Sequence, residues 1–208
     1  MTELALSTTG LAVALGRRHL KFPDLALAAG SSMLVLGPSG SGKSTLIQAL
    51  AGLLPIQKGD ARVAGQSLGA LSAPALDRFR ARHLGLVFQT LNLLPYFSAL
   101  DHLRLAREFA GLPARDDASA LDGLGLAADL HQRPVRHLSV GQQQRVAVAR
   151  ALVTQPSLVL ADEPTSALDE SNRDLVVGAL LSQAAESALL MVSHDRSLAT
   201  HFDQVIEL

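Results

Sequence analysis

Three features of this 208-residue chain predict an α/β fold. They are short alternating apolar runs near the start, four continuous apolar runs further on, and helical spacing between them. Leu4 and Leu6, then Leu11, Val13 and Leu15, then Leu25 and Leu27 repeat with a period of two, the pattern of half-buried antiparallel strands. Met33–Leu36, Leu84–Phe88, Leu158–Ala161 and Leu189–Val192 are unbroken, as strands are when a parallel sheet is covered on both faces. Helical patterns over Ser44–Leu53, Ala99–Ala110, Val140–Val153 and Asp169–Ala185 give the middle and end of the chain a β/α alternation.

From Pro95 to Val153 the text runs helix after helix, punctuated by Gly111, Pro113, Gly123, Gly125 and Pro134. That predicts a helical subdomain set into the sheet. The expected division of one domain is therefore residues 1–94 for an antiparallel β-subdomain and the first half of the core, 95–153 for the helices, and 154–208 for the second half. The length suits one core with a smaller subdomain or two, not two independent domains.

Composition narrows the function classes. Apolar residues make up 48% and charged ones 18%, ordinary for a globular protein. Lys and Arg number 18 against 19 Asp and Glu, without the basic excess that phosphate-backbone binding needs, so no nucleic-acid partner is expected. Aromatics at 3% leave little to stack on single strands. With no cysteine there are neither disulfides nor thiolate metal sites, which fits a reducing compartment. Met1–Gly10 lacks the basic start and apolar run of a targeting segment, and glycines, serines and Pro38 break up the uncharged stretch Leu25–Gly42. A cytoplasmic location is expected.

Gly37-Pro38-Ser39-Gly40-Ser41-Gly42-Lys43-Ser44-Thr45 matches G-x-x-x-x-G-K-[ST], directly after a buried strand and opening a helix. The glycines let backbone N–H groups converge on phosphate oxygens, and the helix adds its positive dipole end. Lys43 reaches the β and γ phosphates and Ser44 can ligate Mg²⁺. Lys43 is one of only three lysines, with Lys21 and Lys58, in a chain that otherwise uses arginine.

Ser157–Glu163 reads as a buried strand that delivers two carboxylates at its C-terminal edge, where ligands bind in open α/β sheets. Asp162 is placed to hold Mg²⁺, and Glu163 to orient and deprotonate an attacking water. Leu138-Ser-Val-Gly-Gln142 opens a long helix, where Ser139 and Gln142 also have the spacing of a capping box. Ser166–Asp169 carries the same ambiguity, and His194 alone reads as a solvated histidine at a strand end.

Taken in order, these segments resemble the ATP-binding cassette (ABC) ATPases, over essentially the whole chain. The phosphate loop is followed by Phe88-Gln89, similar to that family's Q-loop, the signature at 138–142, the acidic strand, a D-loop-like Ser166–Asp169 and an H-loop-like Val192-Ser-His194-Asp. The resemblance implies a P-loop NTPase core carrying the antiparallel β-subdomain and an inserted helical signature subdomain. It implies a head-to-tail dimer with a second copy, in which Ser139, Gly141 and Gln142 of one chain close over ATP on the other. Gln89 would join the Mg²⁺ shell, His194 would contact the γ-phosphate and water, and Asp169 would couple the two sites.

Two positions depart from the family. Val140 stands where the first of two signature glycines is usual, and Leu15, with His19 and Phe22 nearby, where a Tyr or Phe usually stacks on adenine. The stretch Phe88–His102 looks like one shared by lipoprotein-releasing, macrolide-exporting and cell-division ATPases, whose membrane subunit is a separate chain. That implies an ATPase, peripheral on the cytoplasmic face of the inner membrane, driving an integral permease in export or lipoprotein extraction. The alternative is regulation of a membrane complex without transport. Leu91, Leu93, Leu94, Tyr96 and Phe97 are expected either to line a groove for a helix of that partner or simply to pack in the core. DNA-repair and translation relatives do not fit, lacking here their coiled coils, zinc cysteines or second cassette, and no Asn-Lys-x-Asp guanine motif is present.

Overall fold

The computed structural model describes residues 4–16, 18–166, 168–184 and 187–208. Residues 1–3 of the N-terminal reading, Ala167 of the Ser166–Asp169 turn and the Ala185 end of the last expected helix lie outside them.

The chain opens with β1 (Leu4–Leu15), β2 (Arg18–Lys21) and β3 (Ala26–Ala28). The first buried strand, β4 (Ser32–Leu36), then runs through the phosphate loop into α1 (Lys43–Leu50). Next come β5 (Ile56–Val63), β6 (Gln66–Ser67), α2 (Ala73–His83) and β7 (Leu84–Val87). Helices α3 (Ala99–Phe109), α4 (Ala118–Asp122) and α5 (Val140–Leu152) fill the following stretch. The chain ends with β8 (Leu158–Asp162), α6 (Glu170–Ala184), β9 (Leu189–Ser193) and β10 (Gln204–Glu207).

Two sheets form. The antiparallel one has the order β2-β1-β5-β6, with β3 also on β1. The parallel one runs β10-β4-β9-β8-β7. The alternating runs expected as separate strands join into one twelve-residue β1, bulged where Gly10 takes a φ of +59°. The irregularity lets β5 approach closely: a Cβ on Gly59 would sit 2.3 Å from the Thr9 carbonyl oxygen, so only glycine serves there. Leu6, Leu11, Val13, Leu25 and Leu27 are buried as the alternation implied, but Leu4 and Leu15 are not. A register shift between Leu4 and Leu6 turns Leu4 outward, and Leu15 stands at the turn end of the β1–β2 hairpin, opposite Arg18.

β5 and α2 escaped the pattern reading for physical reasons. β5 starts Ile-Gln-Lys-Gly-Asp and buries only Ala61 and Val63, while α2 buries none of its side chains.

The parallel sheet separates two apolar cores, and its strands divide between them residue by residue. Leu34 and Leu36 of β4 pack with α3, α5 and α6, whereas Met33 and Val35 pack with α1 and the antiparallel sheet. Each such fully buried side chain contributes roughly 1.5–3 kcal/mol. In register, Leu36 lies opposite Ser193 and Val192 opposite Asp162. The sheet therefore brings the phosphate loop, Asp162-Glu163 and Ser193-His194 to one edge.

Candidate functional site

That edge carries a cleft of about 420 Å³. Ser39, Gly40, Gly42, Lys43, Ser44, Thr45, Gln89, Glu163 and His194 line it, with Leu15, Arg18 and Leu20 at one end. The loop's shape follows from its glycines: Gly40 and Gly42 take φ of +83° and +105°, the latter capping α1 without any side-chain cap. The first N–H groups of α1, which have no partner within a helix, are thus left to the cleft.

Lys43 is buried at the centre. Its ammonium donates to the carbonyl oxygens of Gly37 (2.6 Å) and Pro38 (3.1 Å) and lies 3.7 Å from Glu163 Oε1. The other Glu163 oxygen meets His194 Nδ1 at 3.0 Å and accepts from the Ser193 hydroxyl at 3.3 Å. One carboxylate thus joins the loop lysine to the strand-end histidine.

The Glu163 backbone sits in the left-handed region at φ +47°, a conformation worth of order 1–3 kcal/mol of strain in a residue with a side chain. Its N–H donates to Val192 O, and its carbonyl accepts from the N–H and hydroxyl of Ser166, which hold it there.

Asp162 lies beneath the cleft, buried, and its Oδ1 has no hydrogen-bond partner. Burial pushes this carboxyl above its usual range; the Ser44 hydroxyl and Lys43 pull it back, while the Glu163 charge pushes it further up. A buried, unpaired carboxylate oxygen beside a serine hydroxyl is a donor set suited to a hard cation. Among the described residues no three His, Cys, Asp or Glu side chains form a metal cage, so such an ion would take its remaining ligands from phosphate and water, as Mg²⁺ does. Ser41 keeps its hydroxyl buried without a partner, beside Gly37.

Ser139, Gly141, Gln142 and Asp169 do not line the cleft. Ser139 caps α5 through a complete capping box, with Gln142 N–H donating to Ser139 Oγ at 3.2 Å and Ser139 N–H to Gln142 Oε1 at 2.8 Å. Asp169 accepts from the N–H and amide of Asn172 at the start of α6. Asn172 also accepts from Arg145 of α5 at 3.1 Å, and Leu168 and Asn172 lie over Gly141. The signature and the Ser166–Asp169 turn therefore touch each other, a link no spacing in the sequence disclosed. Val140, 56% exposed, faces solvent at the same helix end.

Three placements go beyond what the sequence indicated. His19 and Phe22 do not line the cleft: His19 pairs with Gln57 at 2.9 Å, and Phe22 is buried under Gly42. Arg18, which the sequence reading passed over, stands there instead. Thirdly, of Leu91, Leu93, Leu94, Tyr96 and Phe97 only Leu94 lines a groove. That groove, about 610 Å³, is built instead by Leu84, Leu86, Phe88, Leu105 and Phe109 with Arg78, Arg80 and Arg150. Leu93 packs on the core, and Tyr96, 73% exposed, lies under the Arg136 guanidinium at 4.5 Å.

Residues 20–166 match the family described as ABC transporter. The lipoprotein-releasing system ATP-binding protein LolD of Chromohalobacter salexigens is 43% identical over 192 residues, covering 89% of this chain and 80% of that one. The macrolide export ATP-binding/permease protein MacB of Chromobacterium violaceum is 42% identical over 91% of this chain and 30% of its own length; it is described as ATP-binding protein and permease in one chain, which corrects the expectation of a separate membrane subunit for the macrolide-exporting relatives. A solved dimeric ATP-binding cassette in a post-hydrolysis state, bound to ADP and Pi, superposes with a TM-score of 0.89 at 29% identity, over 98% of this chain and 94% of that one.

Proposed function

Because this chain belongs to the ABC transporter family, we propose that it is the ATPase subunit of an export or lipoprotein-releasing type complex, acting on a separate integral membrane permease. It is an ATP-binding cassette that hydrolyses ATP to ADP and phosphate. The observation that carries the reading is the division of the motifs: Lys43, Glu163 and His194 meet in one cleft while Ser139 and Gly141 lie outside it. A site so divided is completed by a second copy, whose signature helix would bring its N-terminus to the γ-phosphate.

Within that site each residue has a task. Lys43 exchanges the Gly37 and Pro38 carbonyls for phosphate oxygens and neutralises the charge that develops during transfer. Glu163 takes a proton from the water that attacks the γ-phosphorus as the bond to the bridging oxygen of ADP breaks. His194 fixes the Glu163 carboxylate through the 3.0 Å contact. Ser44, Asp162 and Gln89 would hold Mg²⁺, whose charge offsets that of the β and γ oxygens when it is bound. Asp169 would couple the two sites of the dimer.

Among the described residues no helix is long and apolar enough to cross a membrane. We place the chain at the cytoplasmic face of the inner membrane, held there by a permease helix in the 610 Å³ groove.

Glu163→Gln tests the dimer directly by light scattering with and without ATP. An ATP-dependent dimer is expected where wild type stays monomeric, and a variant that remains monomeric with ATP overturns the reading. Copurification from gently solubilised membranes tests the partner: a polytopic protein is expected, and its absence would favour the non-transport alternative.

A further inference from the structure

The helices that lead away from the signature and from the Ser166–Asp169 turn, α5 and α6, are joined near their starts by one side chain. Asn172 stands in the first turn of α6, half-buried. Its amide nitrogen donates to both carboxylate oxygens of Asp169, at 2.8 and 3.0 Å, and its backbone N–H donates to the first of them at 2.9 Å. Its amide oxygen accepts from Arg145 Nη1 of α5 at 3.1 Å. An ionised carboxylate can only accept and a guanidinium can only donate, whereas an amide does both, on separate atoms. Asn172 therefore answers each neighbour with the matching group, and the two neighbours fix which way its amide points. The same residue lies against the signature, since a Cβ on Gly141 would meet Leu168 at 3.6 Å and Asn172 at 3.9 Å. Arg145 depends on it: the guanidinium Nε is buried without a partner, and among the described residues the bond to Asn172 is the one that Arg145 makes.

We propose that Asn172 is a positioning residue, which makes the signature and the Ser166–Asp169 turn one rigid half of the dimer interface in each chain. The inference rests on the dimer reading above and names what aligns that interface. With the link in place, Ser139 and Asp169 meet the other copy at a fixed separation, so closure engages both or neither. Without it, each helix start must be ordered separately as the dimer forms, and that loss of conformational freedom opposes association. Neither Asn172 nor Arg145 lines the nucleotide cleft, so the effect belongs to closure and not to the first binding of ATP.

The test is ATP-dependent dimerisation of the full chain in the Glu163→Gln background, by sedimentation over a concentration series, with ATP affinity titrated where the chain is monomeric. Asn172→Leu, close in size but unable to bridge, should weaken the dimer about tenfold and leave the monomer's ATP affinity within about twofold. Arg145→Leu should weaken the dimer as much, and the double variant no more than either alone, because all three lack the same link. A role confined to folding would lower the melting temperature without that non-additivity in dimer strength. Asn172→Asp keeps an acceptor for Arg145 but sets a second carboxylate against Asp169, so it should also weaken the dimer and serves where Asn172→Leu folds poorly. A dimer of parental strength in either Asn172 variant, losses that add in the double variant, or an equal fall in the monomer's ATP affinity would overturn the positioning role. Absence of any ATP-dependent dimer in the Glu163→Gln parent would instead sink the dimer reading itself.

Discussion

The helix that follows the phosphate loop, α1, and the helix that opens at Ser139, α5, are finished in opposite ways. α1 begins at a left-handed Gly42 with no side chain over its first N–H groups, whereas α5 begins at Ser139 with both halves of a capping box closed. A glycine at the helix start costs stability against a Ser cap, by about a few tenths of a kcal/mol. α1 bears that cost because a ligand is to take the cap's place. α5 is satisfied within its own chain and needs no ligand to be stable. The first is a site prepared in advance; in the dimer proposed above, the second would give up Ser139 or Gln142 contacts to reach the other copy's nucleotide. Binding to one chain and closure by two are separate events built into two helix ends.

Changes at α1 and its neighbours should break this contrast most severely. Lys43→Ala removes a buried cation from the cleft, so ATP affinity should fall by about 100-fold or more in titration. Glu163→Gln should lower ATP turnover by a factor of order 10²–10⁴ while leaving affinity within a few fold, since it deletes proton transfer and little else. His194→Ala, acting through the orientation of Glu163, should lower kcat by roughly 10–100-fold with little change in KM. Ser139→Ala at α5 should leave ATP affinity of the single chain unchanged and cost ~1 kcal/mol in denaturant unfolding; weaker binding in the monomer would erase the distinction between the two helix ends.

A third helix start sharpens the comparison with the smallest effect. α3 has its own capping box, Ser98 with Asp101, and the neighbouring His102 accepts from Leu94 N–H at 2.8 Å while its Nδ1 meets Ser98 O at 2.7 Å. Burial lowers the His102 pKa, the Ser98 contact opposes this, Arg150 adds to the lowering and Asp101 opposes it. The folded chain then holds fewer protons on His102 than the unfolded chain just below pH ~6.5, so stability is lost as pH falls from there toward the depressed value. Tm should decline over that window in wild type, and His102→Gln should flatten the decline.

Much of this was legible in sequence wherever one physical demand acted alone. β4, β8 and β9 are buried on both faces, and their unbroken apolar runs say so. The phosphate loop announces itself because glycine is obligatory at Gly40 and Gly42. β5 and α2 bury too little to leave a pattern. Arg18 could have been found only from hairpin register, which sets it opposite Leu15 and beside the loop. Likewise, the contact of Arg145 with Asn172 depends on how α5 and α6 pack, and no spacing within either helix encodes it.

The way β4 splits its side chains between the two cores bears on how the molecule comes apart. Neither core can melt while β4 stays whole, because Met33 and Val35 anchor one, and Leu34 and Leu36 the other. The strand should therefore behave as part of a single cooperative unit, its amides exchanging hydrogen only through global opening. α2, with no side chain buried, belongs at the other extreme and should open locally. The phosphate loop is thus tethered to the slowest-exchanging segment of the chain, so the clasp that receives the nucleotide keeps its shape while more weakly packed parts fluctuate.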